Sequence, residues 1–276
     1  MEALGLNWRY LAFEVLPENL AAAIAGAQAM RFIGLNLTIP HKLLAVKMVD
    51  VLHESARHWG AVNTIRFEGA DDTEEWKALS EFENAPARIR SHGFNTDADA
   101  IARAISEDLG LKLKGSRVVI LGAGGAGRAA ALKLAAERVA DLHIVNRTIS
   151  KAEALAAEVH QQYPKISVHA GYPKGRVDLV VNATSLGLNP ADALPIDEAQ
   201  LPLPQVANVF DMIYRPMETA LLTSAKAAGC QTVNGLSMLL YQGAAALEIW
   251  TGRKAPLQKM RQELERHIHA VSVQPA

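Results

Sequence analysis

From Gly115 onward the apolar positions change rhythm in a regular way. Arg117 to Leu121 is a nearly continuous apolar run, the pattern of a strand covered on both faces in a parallel sheet. Strand-like segments follow at Asp141 to Val145, Ile166 to His169, Val177 to Asn182, Val206 to Asp211 and Gln231 to Asn234. Between them Arg128 to Arg138, Ser150 to His160 and Glu218 to Ala228 carry helical spacing. Strand-like and helix-like segments following one another in this way predict a doubly wound α/β domain.

The first hundred residues are less regular. Trp8 to Val15 reads as a strand, and Pro17-Glu18 opens an alanine-rich helix through Met30. Ile33 to Ile39 predicts a short strand stopped by Pro40, followed by a helix through Leu52 and a strand from Ala61 to Phe67. Residues 69–92 hold Asp71-Asp72, Glu74-Glu75, Glu81 and Glu83 with few apolar positions, which predicts an exposed, partly helical insertion rather than core. Asp97 to Leu109 is helical. Ser237 to Trp250 and Pro256 to His269 are also helical and are expected to pack back on the first domain. The expected fold is therefore α/β, with one domain over 111–235 and a discontinuous α/β domain formed by 1–110 and the C-terminal helices of 236–276.

Composition narrows the function classes. Half the residues are hydrophobic and 21% are charged, with a formal net charge of −1. Such a balance argues against a broad nucleic-acid or anionic-membrane surface. Cys230 is the only cysteine, which excludes an internal disulfide and a cysteine zinc site. It reads as the entry to a buried strand rather than a nucleophile. No apolar run approaches the roughly 18 residues of a membrane span, and the start lacks the pattern of a signal peptide. A cytoplasmic protein, monomeric or homodimeric, is expected. None of the nine histidines shows recognisable metal spacing, so His53, His58, His267 and His269 read as surface residues and no metal is expected. Trp8, Trp59, Trp76 and Trp250 are scattered rather than arranged as a stacking platform.

One loop carries a specific chemistry. The strand ending at Leu121 runs into Gly122-Ala123-Gly124-Gly125-Ala126-Gly127 and then into the helix former Arg128-Ala129-Ala130-Ala131. Gly122, Gly124 and Gly127 occupy the three glycine positions of a dinucleotide-binding turn, for the tight bend, backbone approach to pyrophosphate and close helix packing. The helix N-terminus then offers free N–H groups to phosphate. This is the Rossmann arrangement, in the strand–turn–helix context that makes the motif specific. Where an NAD site usually places a carboxylate at the end of the second strand, this chain has Asn146-Arg147-Thr148, with Lys151 following. A carboxylate would repel a 2′-phosphate, whereas Arg147 pairs with it or stacks on adenine, so NADP is favoured.

Other short segments supply candidate polar groups: Asn36-Leu37-Thr38-Ile39-Pro40-His41-Lys42, Gly60-Ala61-Val62-Asn63-Thr64 and Gly93-Phe94-Asn95-Thr96-Asp97. Each alone reads equally as a turn, with Lys42 solvated and Asp97 capping a helix. Together, in this order before the glycine loop, they resemble the shikimate dehydrogenase family. Asn182-Ala183-Thr184-Ser185-Leu186-Gly187, Asp211-Met212-Ile213-Tyr214 and Asn234-Gly235-Leu236-Ser237-Met238 through Gln242-Gly243 continue the likeness, which spans Trp8 to Gly252. The resemblance implies NADP-dependent interconversion of 3-dehydroshikimate and shikimate. It makes Lys42 the catalytic lysine and Asp97 its partner, with Thr38, Asn63 and Gln242 holding substrate hydroxyls. Tyr214, Met212, Gly235 and Met238 would line the nicotinamide, with Tyr214 also reaching the substrate. The chemistry suits those roles: hydride delivery to a ketone leaves charge on oxygen, which a nearby ammonium stabilises and quenches.

By the same resemblance a strand, a glycine turn and a Ser-x-Ser stretch that binds the substrate carboxylate are expected ahead of the first helix. Met1-Glu2-Ala3-Leu4-Gly5 resembles the end of that helix, and no serine precedes Ser55. A start placed at an internal methionine, a truncated gene and a divergent relative all fit. Loss of that strand would leave its sheet neighbours without ladder partners. Two further readings stay open. One is a non-catalytic sensor of NADP(H), and the other is a quinate-type dehydrogenase of altered substrate. A methylene-tetrahydrofolate dehydrogenase or glutamyl-tRNA reductase type shares the nucleotide half but leaves the Lys42 segment unexplained.

Overall fold

A computed structural model describes residues 1–70, 74–84 and 86–272. The chain divides into two compact units, one formed by Met1–Asp97 with Gln242–Ala276 and the other by Ala98–Tyr241.

In the first unit a turn at Pro17–Asn19 leads into α1 (Leu20–Ala29), whose Leu20, Ile24 and Ala27 recur at helical spacing and are buried. Then come β1 (Gly34–Asn36), α2 (His41–Leu44), β2 (Val51–Leu52), α3 (Glu54–Trp59), β3 (Thr64–Ala70), β4 (Trp76–Ala78) and β5 (Arg88–Phe94). The sheet runs β1-β3-β5-β2, with β4 paired to the other side of β3's end. β3 is antiparallel to β1, β4 and β5, and β2 is parallel to β5. Ile65 and Phe67 of β3 meet α1 and Ala45, Ala56, Val62 and Leu79 in one buried cluster. The indole of Trp250 donates to Ile65 O at 2.8 Å. Gly34 permits this approach, since a Cβ there would collide with the indole nitrogen.

Three expectations fail in this unit. Trp8 to Val15 forms no strand: it has no ladder partner among the described residues, and Tyr10, Leu11 and Phe13 stay exposed. The helix expected through Leu52 ends early, and Val51–Leu52 pairs with His92 and Gly93 instead. Asp50 fixes that register by accepting from Ser91 N and Oγ, both at 2.7 Å. Residues 69–92 are not an exposed insertion, because β5 pairs with β3 along its whole length from Thr64↔Phe94 to Ala70↔Arg88. Its charges are partnered on the sheet: buried Glu68 meets Arg66, Arg90 and His92. Asp71 and Asp72 lie outside the described residues, as does the side chain of His269.

The second unit follows its predicted rhythm closely. α4 (Asp97–Asp108) leads to β6 (Arg117–Leu121), α5 (Gly125–Ala136), β7 (Asp141–Val145), α6 (Ile149–Gln162), β8 (Ser167–Ala170) and β9 (Val177–Asn182). β10 (Val206–Asp211), α7 (Ala220–Ala227) and β11 (Gln231–Val233) follow, then α8 (Leu236–Thr251), which begins in this unit, and α9 (Leu257–Ser272), which belongs to the first. The six strands are all parallel in the order β8-β7-β6-β9-β10-β11. That order reverses direction between β6 and β9, the switch point of a doubly wound sheet, where ligands bind beyond the carboxyl ends of the strands. Val119, Leu121, Val180 and Val209 pack with Leu201, Leu221 and Leu222 in a buried core. Cys230 is buried directly before β11, and burial pushes its thiol up, away from nucleophile chemistry. No helix among the described residues is long and apolar enough to cross a membrane.

Candidate functional site

The lysine and aspartate singled out by the sequence meet. α2 starts directly after Pro40, and Val62 N donates to Lys42 O at 2.8 Å, seating the helical turn beside the loop before β3. Lys42 Nζ then reaches Asp97 Oδ2 at 2.7 Å, across 55 residues of sequence. The lysine side chain is 28% exposed and the aspartate 15%, so the ammonium keeps a solvent-facing side.

Asp97 is aimed by its neighbours. It is the first residue of α4, and its N–H donates to Asn95 Oδ1 at 3.1 Å. Asn95 is itself tied to Ala61 O and to Ser55. The other carboxylate oxygen, Oδ1, accepts from Asn63 Nδ2 at 2.9 Å. Asn63 is only 1% exposed, and its whole hydrogen-bonding capacity is engaged. Its Nδ2 also donates to Thr96 Oγ1, while its Oδ1 accepts from Thr96 N and Thr64 Oγ1. Thr64 in turn accepts from Asn36. Sequence reading passed over Asn36, Thr64, Asn95 and Thr96 as site residues. They sit beside the named positions in the same motifs, which was the signal available. Thr38 is exposed in the turn before α2, and Gln242 is half-buried on α8.

In the second unit the glycine loop has the geometry its spacing demands. Gly122 follows β6 at φ +106, a left-handed conformation that disfavours any other residue. A Cβ on Gly127 would collide with Gly122 O, so the glycine sets how closely α5 packs on the turn. The space over Gly124 and Gly125 is open. The N–H groups of Gly125, Ala126 and Gly127 lie in the first helical turn, where no intrahelical acceptor exists. Asn146 Oδ1 accepts from Ala123 N at 3.1 Å and Asn146 Nδ2 donates to Thr148 O, so the asparagine joins the glycine loop to the end of β7. Arg147, Thr148 and Lys151 are exposed there, with no carboxylate among them. The backbone and cations therefore fit a dinucleotide with a 2′-phosphate.

A buried polar knot shapes the loops after β9 and β10. Asp211 accepts from Asn182 Nδ2 at 3.0 Å, Thr219 Oγ1 at 2.7 Å and Ile213 N at 3.0 Å. Burial pushes the carboxyl above its ordinary range, against the three bonds that favour the charged form. Asn182 Oδ1 caps the next turn through Thr184. The knot holds the chain of Met212 beside Gly235, whose missing side chain admits Met212 O and whose N–H donates to Ile213 O. Tyr214 is exposed and Met238 half-buried on the same unit.

Comparison with known proteins agrees with this layout. Residues 1–65 match the shikimate dehydrogenase substrate binding domain, 101–187 match shikimate / quinate 5-dehydrogenase, and 235–265 match the shikimate 5′-dehydrogenase C-terminal domain. A shikimate dehydrogenase (NADP(+)) of Methanopyrus kandleri is 38% identical over 272 residues, covering 96% of this chain and 87% of the relative. The chain belongs to the shikimate dehydrogenase family. A solved shikimate dehydrogenase in complex with NADP+ is 36% identical, with a TM-score of 0.80 over 97% of this chain and 88% of its own. Family likeness extends to a 5-ketofructose reductase of Gluconobacter, 35% identical with a TM-score of 0.77 over 96% and 90% of the two chains.

Proposed function

We propose that the chain is an NADP-dependent shikimate dehydrogenase that interconverts 3-dehydroshikimate and shikimate. The observation that carries this reading is the Lys42–Asp97 pair, 2.7 Å apart with the ammonium open to solvent, in a chain that also holds a complete glycine loop. A bound NADPH would supply the hydride for the ketone carbon. Lys42 Nζ donates a hydrogen bond to the ketone oxygen, stabilises the charge that develops on it and transfers a proton, so that C=O becomes CH–OH. Asp97 holds the ammonium in place through Oδ2, and Asn63 holds Asp97 through Oδ1. A direct bond from Asn63 to a substrate hydroxyl would require it to release one of its present partners. Thr38, Gln242 and Tyr214 are the remaining candidates for reading hydroxyls.

The cofactor assignment rests on the chemistry after β7. The loop of Gly122, Ala123, Gly124, Gly125, Ala126 and Gly127 takes the pyrophosphate, Asn146 fixes the loop, and Arg147, Thr148 and Lys151 take the 2′-phosphate. Met212, Gly235 and Met238 would line the nicotinamide. A second reading, reduction of another polyhydroxy ketone by the same pair, is favoured by the likeness to the Gluconobacter enzyme. Steady-state assays decide between them. Shikimate with NADP+ is expected to generate NADPH, with NAD+ at least about tenfold poorer in kcat/KM. Faster turnover of quinate, or of 5-ketofructose in the reductive direction, would overturn the substrate. NADPH binding with no turnover of any of these would leave a sensor in place of an enzyme.

A further inference from the structure

Away from the glycine loop, the last two strands of the parallel sheet bring three metal-ligating side chains to one point. In the parallel register of β7 and β8, Asp141 pairs with Ser167 and His143 with His169. The two-residue period of a strand puts all four side chains on one face. The imidazoles of His143 and His169 stack with centroids 5.0 Å apart. His143 Nε2 lies 3.1 Å from Asp141 Oδ2, and His169 Nε2 lies 3.6 Å from Asp141 Oδ1. All three ligand atoms fall within 4.8 Å of one another. A tetrahedral zinc ion with bonds near 2.0–2.2 Å sets its ligands about 3.4 Å apart, so little rearrangement is needed.

The hydrogen bonds around the cluster leave the ligand atoms facing inward. His143 Nδ1 sits 3.2 Å from Gly171 O. A carbonyl can only accept, so Nδ1 is the nitrogen that donates there, and Nε2, on the carboxylate side, is the one available to an ion. A metal-bound histidine is held in this way, with its far N–H on a carbonyl. Arg117 Nε donates to Asp141 Oδ2 at 2.8 Å, orienting the carboxylate from behind. The other oxygen, Asp141 Oδ1, is buried and has no hydrogen-bond partner among the described residues. Arg117 pairs with one oxygen of the carboxylate, while the other, beside His169 Nε2, is buried with nothing donating to it and is open to an ion. Ser167 Oγ, 2.7 Å from His169 Nε2, holds that ring at the cluster until an ion replaces the bond.

We propose that Asp141, His143 and His169 form a zinc site that fastens the edge strand β8 to β7, with water completing the coordination. Two imidazoles and one carboxylate suit zinc or a similar borderline divalent ion rather than magnesium or calcium, which prefer all-oxygen shells. His169 is 54% exposed, which leaves the ion a way in. The site is independent of the dehydrogenase reading, since none of its residues belongs to the cofactor or proton-transfer machinery.

The test is titration of the chelator-treated full chain with zinc chloride by calorimetry, alongside His169→Ala. The exposed position makes that variant safe for folding, which its melting temperature checks. One zinc per wild-type chain is expected, with affinity at least about tenfold lower in the variant. Cobalt(II) should give the visible absorption of a four-coordinate ion in wild type and lose it in His169→Ala. Equal zinc uptake by the two proteins would overturn the proposal by placing the metal elsewhere. No uptake at micromolar zinc would overturn it too.

Discussion

Lys42 and Asp97 stand 55 positions apart in sequence and 2.7 Å apart in space, and nothing in either local segment alone announces the pairing. Each was legible only through the ordered set of motifs, because a lysine after a strand and an aspartate at a helix start have ordinary structural roles. The same motifs singled out Asn63 as a candidate, but its saturated environment was not legible. The four hydrogen bonds of one amide, two donated and two accepted, depend on where the start of β3 meets Thr96 and Asp97. Arg147 carries the most direct residue-scale prediction. It lies exposed at the end of β7 with no carboxylate beside it. Arg147→Ala should weaken NADPH binding about tenfold or more while leaving NADH binding nearly unchanged, as fluorescence titration would show. An equal loss for both cofactors would mean that Arg147 reads something other than the 2′-phosphate.

At the scale of elements, the parallel strands were legible almost to the residue. Val118 to Leu121 and Leu179 to Val181 are apolar on both faces, with glycine or asparagine at their carboxyl ends. The first unit was harder, because β2 has two residues, too few for any period, and β5 hides its strand pattern among charges. Arg90 and His92 look solvated in sequence, yet they meet Glu68 on β3. Burial pushes the Glu68 carboxyl up, but bonds from His92, Arg66 and Arg90 outweigh it and hold it at about 2, below its ordinary 4.5. A depressed carboxylate contributes stability that is present above the unfolded value and lost as pH falls toward the folded one. The shift corresponds to on the order of 3 kcal/mol. Glu68→Gln should lower stability at neutral pH and flatten the loss between pH 4.5 and 2, measured by denaturant midpoints. An unchanged slope would show that Glu68 is not a main source of acid sensitivity.

The turn before α5 gives a second prediction at this scale. A side chain on Gly127 collides with Gly122 O, so Gly127→Val must push α5 off the end of β6. NADPH affinity should fall by more than tenfold, because the first-turn N–H groups move with the helix. Circular dichroism should still report the six-stranded unit. Retained affinity would show that pyrophosphate is not held at this turn.

For the whole molecule, fold class and cofactor were legible because they depend on local rhythm and one loop. Two parts of the chain were not. Trp8 to Val15 reads as a strand, but a strand needs a ladder partner that its own sequence cannot reveal. The Asp141, His143 and His169 cluster depends on the register between β7 and β8, which metal-spacing rules do not read. The central claim is that one chain couples dinucleotide binding to proton transfer by Lys42. The direct measurement compares wild type with Lys42→Met for shikimate-dependent NADP+ reduction, with NADPH affinity measured on the same preparations. The account predicts that kcat falls by about a hundredfold or more while NADPH affinity stays within a few-fold. Wild-type turnover in Lys42→Met would contradict it.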